Sequence, residues 1–302
     1  MDDRLPASAW PTLRQLQFLN ALDAHGSFVR AAEAVGVTQP TLSAGIKELE
    51  TVLGVTLVER ARSGAVLTPA GREATQRAAG ALAQVEDLVR AVRAAGAPLS
   101  GTFRLGAIPT IAPFLLPRAM KTLRAKFPKL RLVLREDVSS RLVEGLRSRT
   151  LDAALIALPY EASGIESEVI AEDEFLLVCP KDHPLATQKS IVPGDLAGED
   201  VLLLEDGHCL RDHALQVCKL PQSRAAAEVG ATSLHTLVQM VAGGMGVTLL
   251  PKLAADGGAA RGAAVETRRF DRPMMGRSIG IAWRAGGLRA EEAKMIAKAL
   301  RL

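Results

Sequence analysis

Aromatic side chains are scarce in this 302-residue chain: seven phenylalanines, two tryptophans and one tyrosine make up 3% of it. That scarcity speaks against an aromatic-rich all-β domain. The dominance of Ala, Leu, Val and Gly favours helices and α/β layers instead. Cysteine is scarcer still, and three residues (Cys179, Cys209 and Cys218) make no disulfide framework in a chain this long. Uninterrupted apolar runs fall short of the ~20 residues of a membrane span, and the first residues lack a basic run followed by an apolar core. Neither membrane insertion nor secretion is expected, and the expected location is the cytoplasm. No bound metal and no cofactor is expected either.

Charge of one sign is missing where it would be most telling. The formal net charge is +4, yet residues 1–100 carry ten basic and ten acidic side chains. Nucleic-acid binding therefore cannot be argued from net charge, only from where particular side chains point. What is present is size and apolar content: 302 residues, 48% of them hydrophobic, predict two or three domains with cores of their own.

The N-terminal pattern is dense. Leu13, Leu16, Leu19 and Leu22 recur at helical spacing, and His25-Gly26 ends that helix. Ser27 is a candidate N-cap for a short second helix carrying Phe28, Ala31, Ala32 and Val35. Gly36-Val37 makes a turn. Thr38 then caps a third helix with Pro40 in its first turn, where a missing N–H costs little. Leu42, Ile46 and Leu49 form the apolar stripe of that helix. Its other face carries Gln39, Thr41, Ser43 and Lys47, types that reach base edges and phosphates in a major groove, and Ala44 and Gly45 are expected to let it lie close. A plain three-helix bundle with a solvated polar face competes with this helix-turn-helix reading. Leu57–Arg60 and Ala65–Leu67 read as two short strands joined by Arg62-Ser63-Gly64, a wing with Arg60 and Arg62 facing phosphate. Thr68-Pro69 opens a further helix to about Ala95. Its seam of Ala74, Ala78, Leu82, Val85, Leu88 and Val92 asks for a partner helix, or for packing on its own domain.

The run "FVRAAEAVGVTQPTLSAGIKELE" followed by "LGVTLVERARSGAVLTPAG" resembles the DNA-binding end of the LysR-type transcriptional regulators over residues 13–72. The resemblance implies that Ser27, Arg30, Gln39, Pro40, Thr41, Ser43, Lys47 and Arg62 lie at or near DNA. It implies a winged helix-turn-helix (1–70), a linker and dimerisation helix (71–98) and an effector region (99–302). The effector region would be periplasmic-binding-protein-like, with subdomain I of residues 99–171 and 275–302 and subdomain II of residues 172–274. The residues themselves agree with that class. After a hinge at 97–101, strands at 102–107, 131–136, 153–157, 174–179, 201–204, 246–250 and 279–283 alternate with helices at 115–127 and 140–149. Such alternation predicts an α/β fold with ligands held at strand ends. "MVAGGMGVTLLP" (240–251) is similar to the same family.

The segment "LLLEDGHCLRDHALQVC" (202–218) resembles the redox segment of the hydrogen peroxide sensors within that family. By that resemblance Cys209 is the peroxide-reactive thiol and Cys218 its resolving partner, and Thr110, Ser139, His208 and Arg277 build the peroxide pocket. Two positions depart from the family's habit: Ser139 stands where Thr is frequent, and Glu228 where His is frequent. Cys179 matches no role and reads as a buried structural thiol. Cys209 is expected at a helix N-terminus beside His208 and Arg211, a setting that favours thiolate. The implied protein is not an enzyme. Its implied partners are double-stranded DNA at pseudo-palindromic promoter sites, further copies of itself as a homodimer or dimer of dimers, RNA polymerase, hydrogen peroxide as signal and a cellular thiol reductant. Two rival readings remain at this point. One is a LysR-type regulator of metabolism whose cleft holds an organic acid or amino acid. The other is a thiol enzyme using Cys209 with His208 or His213, in which the N-terminal unit would have no purpose.

Overall fold

The computed structural model describes residues 10–61, 64–93, 98–218, 231–271 and 276–301. The chain divides into two compact units, Met1–Gly96 with Ser148–Thr150, and Ala97–Arg147 with Leu151–Leu302.

In the first unit, α1 (Leu13–His25), α2 (Phe28–Ala34) and α3 (Gln39–Leu53) enclose one core. Thr12 and Gln15 form a reciprocal cap on α1, each side chain accepting from the other's backbone N–H at 3.2 and 2.8 Å. Gly26, at φ 61°, ends α1 in the left-handed conformation that suits glycine. Phe18, Leu22, Ala31, Leu42, Ile46, Leu49 and Leu57 close the core. Gly45 belongs to this buried side. A Cβ there would lie 2.6 Å from Phe18 Cδ2, so its smallness serves helix packing and not the DNA face expected for it.

The wing is a two-stranded antiparallel ribbon of β1 (Val58–Ala61), shifted by one residue from the sequence expectation, and β2 (Gly64–Leu67), which starts one residue earlier than expected. Leu57 is left out of β1 because it points wholly into the core. The wing is anchored at two points. Glu50 Oε1 accepts from the Leu57 and Val58 N–H groups at 2.8 and 3.1 Å, and Ala65 N–H donates to the Gly26 carbonyl at 3.0 Å. Thr68 Oγ1 accepts from Gly71 N–H at 3.0 Å and starts α4 (Pro69–Arg93).

The second unit contains β3 (Gly101–Ala107), α5 (Ala112–Lys126), β4 (Leu130–Glu136), α6 (Ser139–Arg147), β5 (Ala153–Leu158) and β6 (Ile165–Pro180). It continues with α7 (Pro184–Thr187), β7 (Val201–Leu202), α8 (Cys209–Cys218), α9 (Leu234–Ala242), β8 (Val247–Pro251), α10 (Lys252–Asp256), β9 (Val265–Arg269), β10 (Gly276–Arg284) and α11 (Ala290–Leu300). Strand order is β4-β3-β5-β10-β6-β8-β7, with β9 also on β6. β3 runs parallel to β4 and β5, and β7 parallel to β8, while β6 and β10 pair antiparallel. β6 is the crossing strand: Ile165–Glu174 pairs with β10, and Phe175–Pro180 with β8 and β9. Two apolar cores result. One gathers Phe103, Leu105, Leu155, Ile281 and Ile296, the other Phe175, Leu177, Leu204, Val238 and Leu249.

The first half of β6 escapes a hydrophobic-pattern reading because it is written in glutamates. Glu166 accepts from Trp283 Nε1 at 3.0 Å, and Glu172 from the Ser278 hydroxyl at 3.0 Å, so cross-strand partners on β10 take the place of apolar alternation. The strand expected at 201–204 is shorter, 201–202, followed by a single bridge from Leu204 to Ala231. Among the described residues no helix is long and apolar enough to cross a membrane, and no cluster of three His, Cys, Asp or Glu could hold a metal.

Candidate functional sites

The outward face of α3 presents Gln39, Pro40, Thr41 and Lys47 to solvent, with Ser43 half-buried. Thr38 Oγ1 caps the helix and stands 2.8 Å from Thr41 Oγ1, which fixes the Thr41 rotamer before any ligand arrives. Ser27 occupies the N-cap position of α2 but makes no capping bond with its side chain, and Arg30 is exposed one turn on. Arg62 lies outside the described residues. On α4, Leu88 of the expected seam is 61% exposed, and Val89 beside it 41%.

The second unit holds a buried polar cluster centred on Arg277, which is 4% exposed. Its Nη1 donates to Thr110 Oγ1 at 2.7 Å, its Nη2 to the Thr110 carbonyl at 3.1 Å, and its Nε to Asp173 Oδ2 at 3.1 Å. Thr110 is 2% exposed and ends the turn between β3 and α5. Its hydroxyl is committed to the guanidinium, so it is no cap for α5. Ser139 opens α6 at 3% exposure, and its buried hydroxyl has no partner among the described residues. A buried hydroxyl without a partner is costly unless something else occupies it in function.

Cys209 is the first residue of α8 and Cys218 the last. The Asp206-Gly207 turn precedes the helix, with Gly207 at φ 94°. Cys209 is half-buried and packs against the core that contains Ile108 and Ile111, the neighbours of Thr110. Leu210, Ala214 and Leu215 bury the helix in the other core. His208 is half-buried and makes backbone bonds to Glu205 and Arg211. Arg211 is turned away from the role expected of it: its Nε pairs with Asp206 Oδ1 at 2.9 Å and its Nη1 reaches the Leu204 carbonyl. Its charge is thus shared with Asp206 and not reserved for the thiol. Cys179 is fully buried, and burial, with Glu266 nearby, pushes its thiol pKa up. That is the setting of an inert thiol. Glu228 lies outside the described residues.

The chain matches the model of the bacterial regulatory helix-turn-helix protein of the lysR family over residues 13–72, and that of the LysR substrate binding domain over residues 96–301. It belongs to the LysR family. It is 41% identical over 292 residues to a probable hydrogen peroxide-inducible genes activator of Streptomyces viridosporus, covering 96% of this chain and 94% of that one. It is also 42% identical over 247 residues to the HTH-type transcriptional regulator EstR of Acinetobacter baylyi, covering 82% of each. Among solved structures, full-length OxyR from Pseudomonas aeruginosa with a cysteine-to-aspartate substitution aligns at TM-score 0.75 and 34% identity, covering 97% of this chain and 98% of that one.

Two further residues of this LysR chain stand at the buried site: Asp173, which the sequence did not single out, and His213, which it offered only as a partner of Cys209 in a thiol enzyme. Asp173 is the anionic partner of Arg277, its side chain 2% exposed. It lies in the glutamate-rich first half of β6, where nothing in the local pattern announced a buried charge. His213, one helical turn after Cys209, hydrogen-bonds the Pro159 carbonyl and lies close enough to Arg277 to feel its charge. Its Nδ1 is buried with no partner among the described residues. Burial first, and then Arg277, push its pKa down, so the imidazole is held neutral. The i,i+4 spacing from Cys209 was the one sequence signal for it.

Proposed function

We propose that this LysR-family regulator reads double-stranded DNA with α3 and its wing, and that it responds to hydrogen peroxide through Cys209 and Cys218. The observation that carries the redox reading is the position of the two cysteines at opposite ends of one ten-residue helix. At ~1.5 Å per residue their Cα atoms stand roughly 13 Å apart, whereas a disulfide accepts only about 4.4–6.8 Å. Joining them requires α8 to unwind, which makes the bond a conformational signal. The names of similar proteins point the same way: one is a probable hydrogen peroxide-inducible genes activator.

The chemistry runs in two steps. The Cys209 thiolate attacks one peroxide oxygen. The O–O bond breaks, Cys209 becomes a sulfenic acid, and the departing hydroxide takes a proton to leave as water. The Cys218 thiol then attacks the sulfenic sulfur, a disulfide forms, and a second water leaves. Thr110 and Ser139 supply hydroxyls, His208 its imidazole and Arg277 its guanidinium to hold the two oxygens. Ser139, whose hydroxyl has no partner among the described residues, has a bond to offer. The unwound segment shifts subdomain packing and, through it, the spacing of the two DNA-reading ends. A cellular thiol reductant resets the pair.

On the DNA side, Gln39, Thr41 and Ser43 face base edges, while Ser27, Arg30, Pro40, Lys47 and Arg62 meet the backbone. The assigned regions are the winged helix-turn-helix at 1–70, the linker and dimerisation helix at 71–98 and the sensing domain at 99–302, in a cytoplasmic chain. Its subdomain I takes residues 99–171 and 275–302, and subdomain II residues 172–274. The exposed Leu88 and Val89 of α4 meet a second copy, giving a dimer or dimer of dimers on pseudo-palindromic promoter sites where RNA polymerase is engaged. The chain works as a regulator and turns over no substrate.

Peptide mapping with DNA footprinting tests this reading in the wild type, Cys209→Ser and Cys218→Ser. The wild type forms the 209–218 disulfide with peroxide and changes its footprint. Cys209→Ser does neither, and Cys218→Ser stalls at sulfenic acid or a mixed disulfide. A full peroxide response in Cys209→Ser ends the redox reading and returns the cleft to a metabolite.

A further inference from the structure

We infer that Asp173 is the positioning residue of the peroxide site: it aims the Arg277 guanidinium at Thr110 and ties that aim to α10. The inference rests on the peroxide reading of Cys209 given above.

Arg277 and Asp173 are direct cross-strand partners in the β10–β6 register. Gly276 brings the strands together at this point, since a Cβ there would lie 2.6 Å from the Asp173 carbonyl oxygen. The Arg277 side chain is 0% and the Asp173 side chain 2% exposed, so neither charge is shared with water. Asp173 uses both oxygens. Oδ2 accepts from Arg277 Nε at 3.1 Å and stands 3.1 Å from Nη2 in the ion pair, and Oδ1 accepts from the Leu253 N–H in the first turn of α10 at 2.8 Å. This two-sided grip leaves the outer edge of the guanidinium turned to Thr110, at 2.7 Å from its hydroxyl.

A cavity of about 260 Å³ lies on the far side of the carboxylate, lined by Asp173 and Leu253 but not by Arg277. On the guanidinium itself, the hydrogen bonds to Asp173 and Thr110 set the direction. A planar fork gripped on one edge is pre-organised on the other, which is how arginine gains directional donors at little entropic cost. The location adds a consequence. Asp173 is one residue from the point where β6 leaves β10 for β8. The chain of bonds Thr110–Arg277–Asp173–Leu253 therefore joins the end of β3 to α10, one element on each side of the crossing. Sequence spacing hides the link, because its partners lie 80 to 167 residues apart.

The test measures two reactions of Cys209 in the full-length reduced protein: oxidation by hydrogen peroxide and alkylation by iodoacetamide. The variants are Asp173→Asn, Arg277→Gln and both together. Asp173→Asn keeps an acceptor for Leu253 N–H but gives up the anionic grip. The peroxide rate is expected to fall tenfold or more while the alkylation rate stays within twofold, since a merely structural role would move both. Because Asp173 acts through Arg277, the double variant is expected to be no slower than Arg277→Gln. A peroxide rate within twofold of wild type in Asp173→Asn overturns the inference, as does a loss that adds to that of Arg277→Gln. Should Asp173→Asn fail to fold, Asp173→Glu decides with the same two probes: a slower peroxide rate with unchanged alkylation supports the inference, and no change in either overturns it. If wild-type Cys209 itself ignores peroxide, the peroxide reading fails, and the wild-type trace alone reveals that.

Discussion

The two functional surfaces of this chain are assembled by opposite means. α3 carries its candidate DNA contacts on one helix, from Gln39 to Lys47, all exposed or half-buried, and supported by a core of neighbouring helices. The Arg277 cluster draws Thr110 from the turn after β3, Asp173 from β6 and Leu253 from α10, with Thr110, Asp173 and Arg277 all under 5% exposed. The first kind of surface can change its side chains without disturbing its fold. In the second, the functional groups are also the structure, so each pays for its partners' burial.

The strongest test of that contrast removes Arg277. Arg277→Ala strands the Asp173 carboxylate in the interior and is expected to cost about 3–5 kcal/mol of stability, the usual penalty for breaking a buried pair. Gln39→Ala, on the exposed face, is expected to change stability by no more than ~0.5 kcal/mol. Urea unfolding of the two variants side by side reads both. Equal losses would erase the distinction between the surfaces.

The contrast is sharpened by Gly45, the exception on α3. It faces Phe18, so Gly45→Ala must displace that ring and is expected to destabilise by about 1–3 kcal/mol, although every outward residue on the helix remains in place. A melting temperature equal to wild type would return Gly45 to the DNA face.

Function separates the surfaces in the same order. Thr110→Val removes an acceptor from Arg277 and a hydroxyl from the site. Peroxide oxidation of Cys209 is expected to slow about tenfold, the value of one hydrogen bond of ~1.4 kcal/mol. Gln39→Ala is expected to leave that rate alone and to shift base preference at one operator position by ~1–3 kcal/mol in a binding-site selection. A slower thiol in the Gln39 variant, or altered base preference with the reduced Thr110 variant, would show that the two sites are not separable in this way.

Legibility in the sequence follows the same division. The caps at Thr38 and Thr68, the Gly26 turn and the stripe of Leu42, Ile46 and Leu49 act over three or four residues, so a linear reading finds them. The strands of the second unit were legible where they alternate or run apolar, as in β5. They were not legible at residues 165–173, where glutamates satisfied by Trp283 and Ser278 hold the strand; α11, whose Ala293, Ile296, Ala297 and Leu300 pack against β10 and β6, went unread although these residues keep helical spacing. The candidate pocket residues Thr110, Ser139 and Arg277 came from family resemblance, and Asp173 came from neither source. A buried carboxylate is recognisable only once its cation is in view, and that cation is 104 residues away.

His213 supplies the smallest effect and a test of whether proximity to the buried cluster reaches onto α8. Burial and the Arg277 charge both disfavour the imidazolium, while Asp212 and the Pro159 carbonyl work the other way. The net shift is downward from the ordinary value of 6.5, so the folded protein holds this imidazole neutral while the unfolded chain lets it protonate. Its contribution to stability is therefore complete above that value and drains away as pH falls below it. His213→Gln keeps an N–H donor for the Pro159 carbonyl and cannot be protonated. The urea midpoint of the reduced wild type is expected to drop further than that of His213→Gln between pH 7.5 and pH 5.5, with the two proteins alike at pH 7.5. The residue is only half-buried, which makes the difference modest. Because α8 must unwind to bring Cys209 and Cys218 together, the same loss should appear in the switch: at pH 5.5 the wild-type disulfide should close faster after sulfenic acid formation than that of His213→Gln. Parallel midpoints and equal closing rates at both pH values would place His213 outside the reach of Arg277, and would confine the buried cluster to the strands that build it.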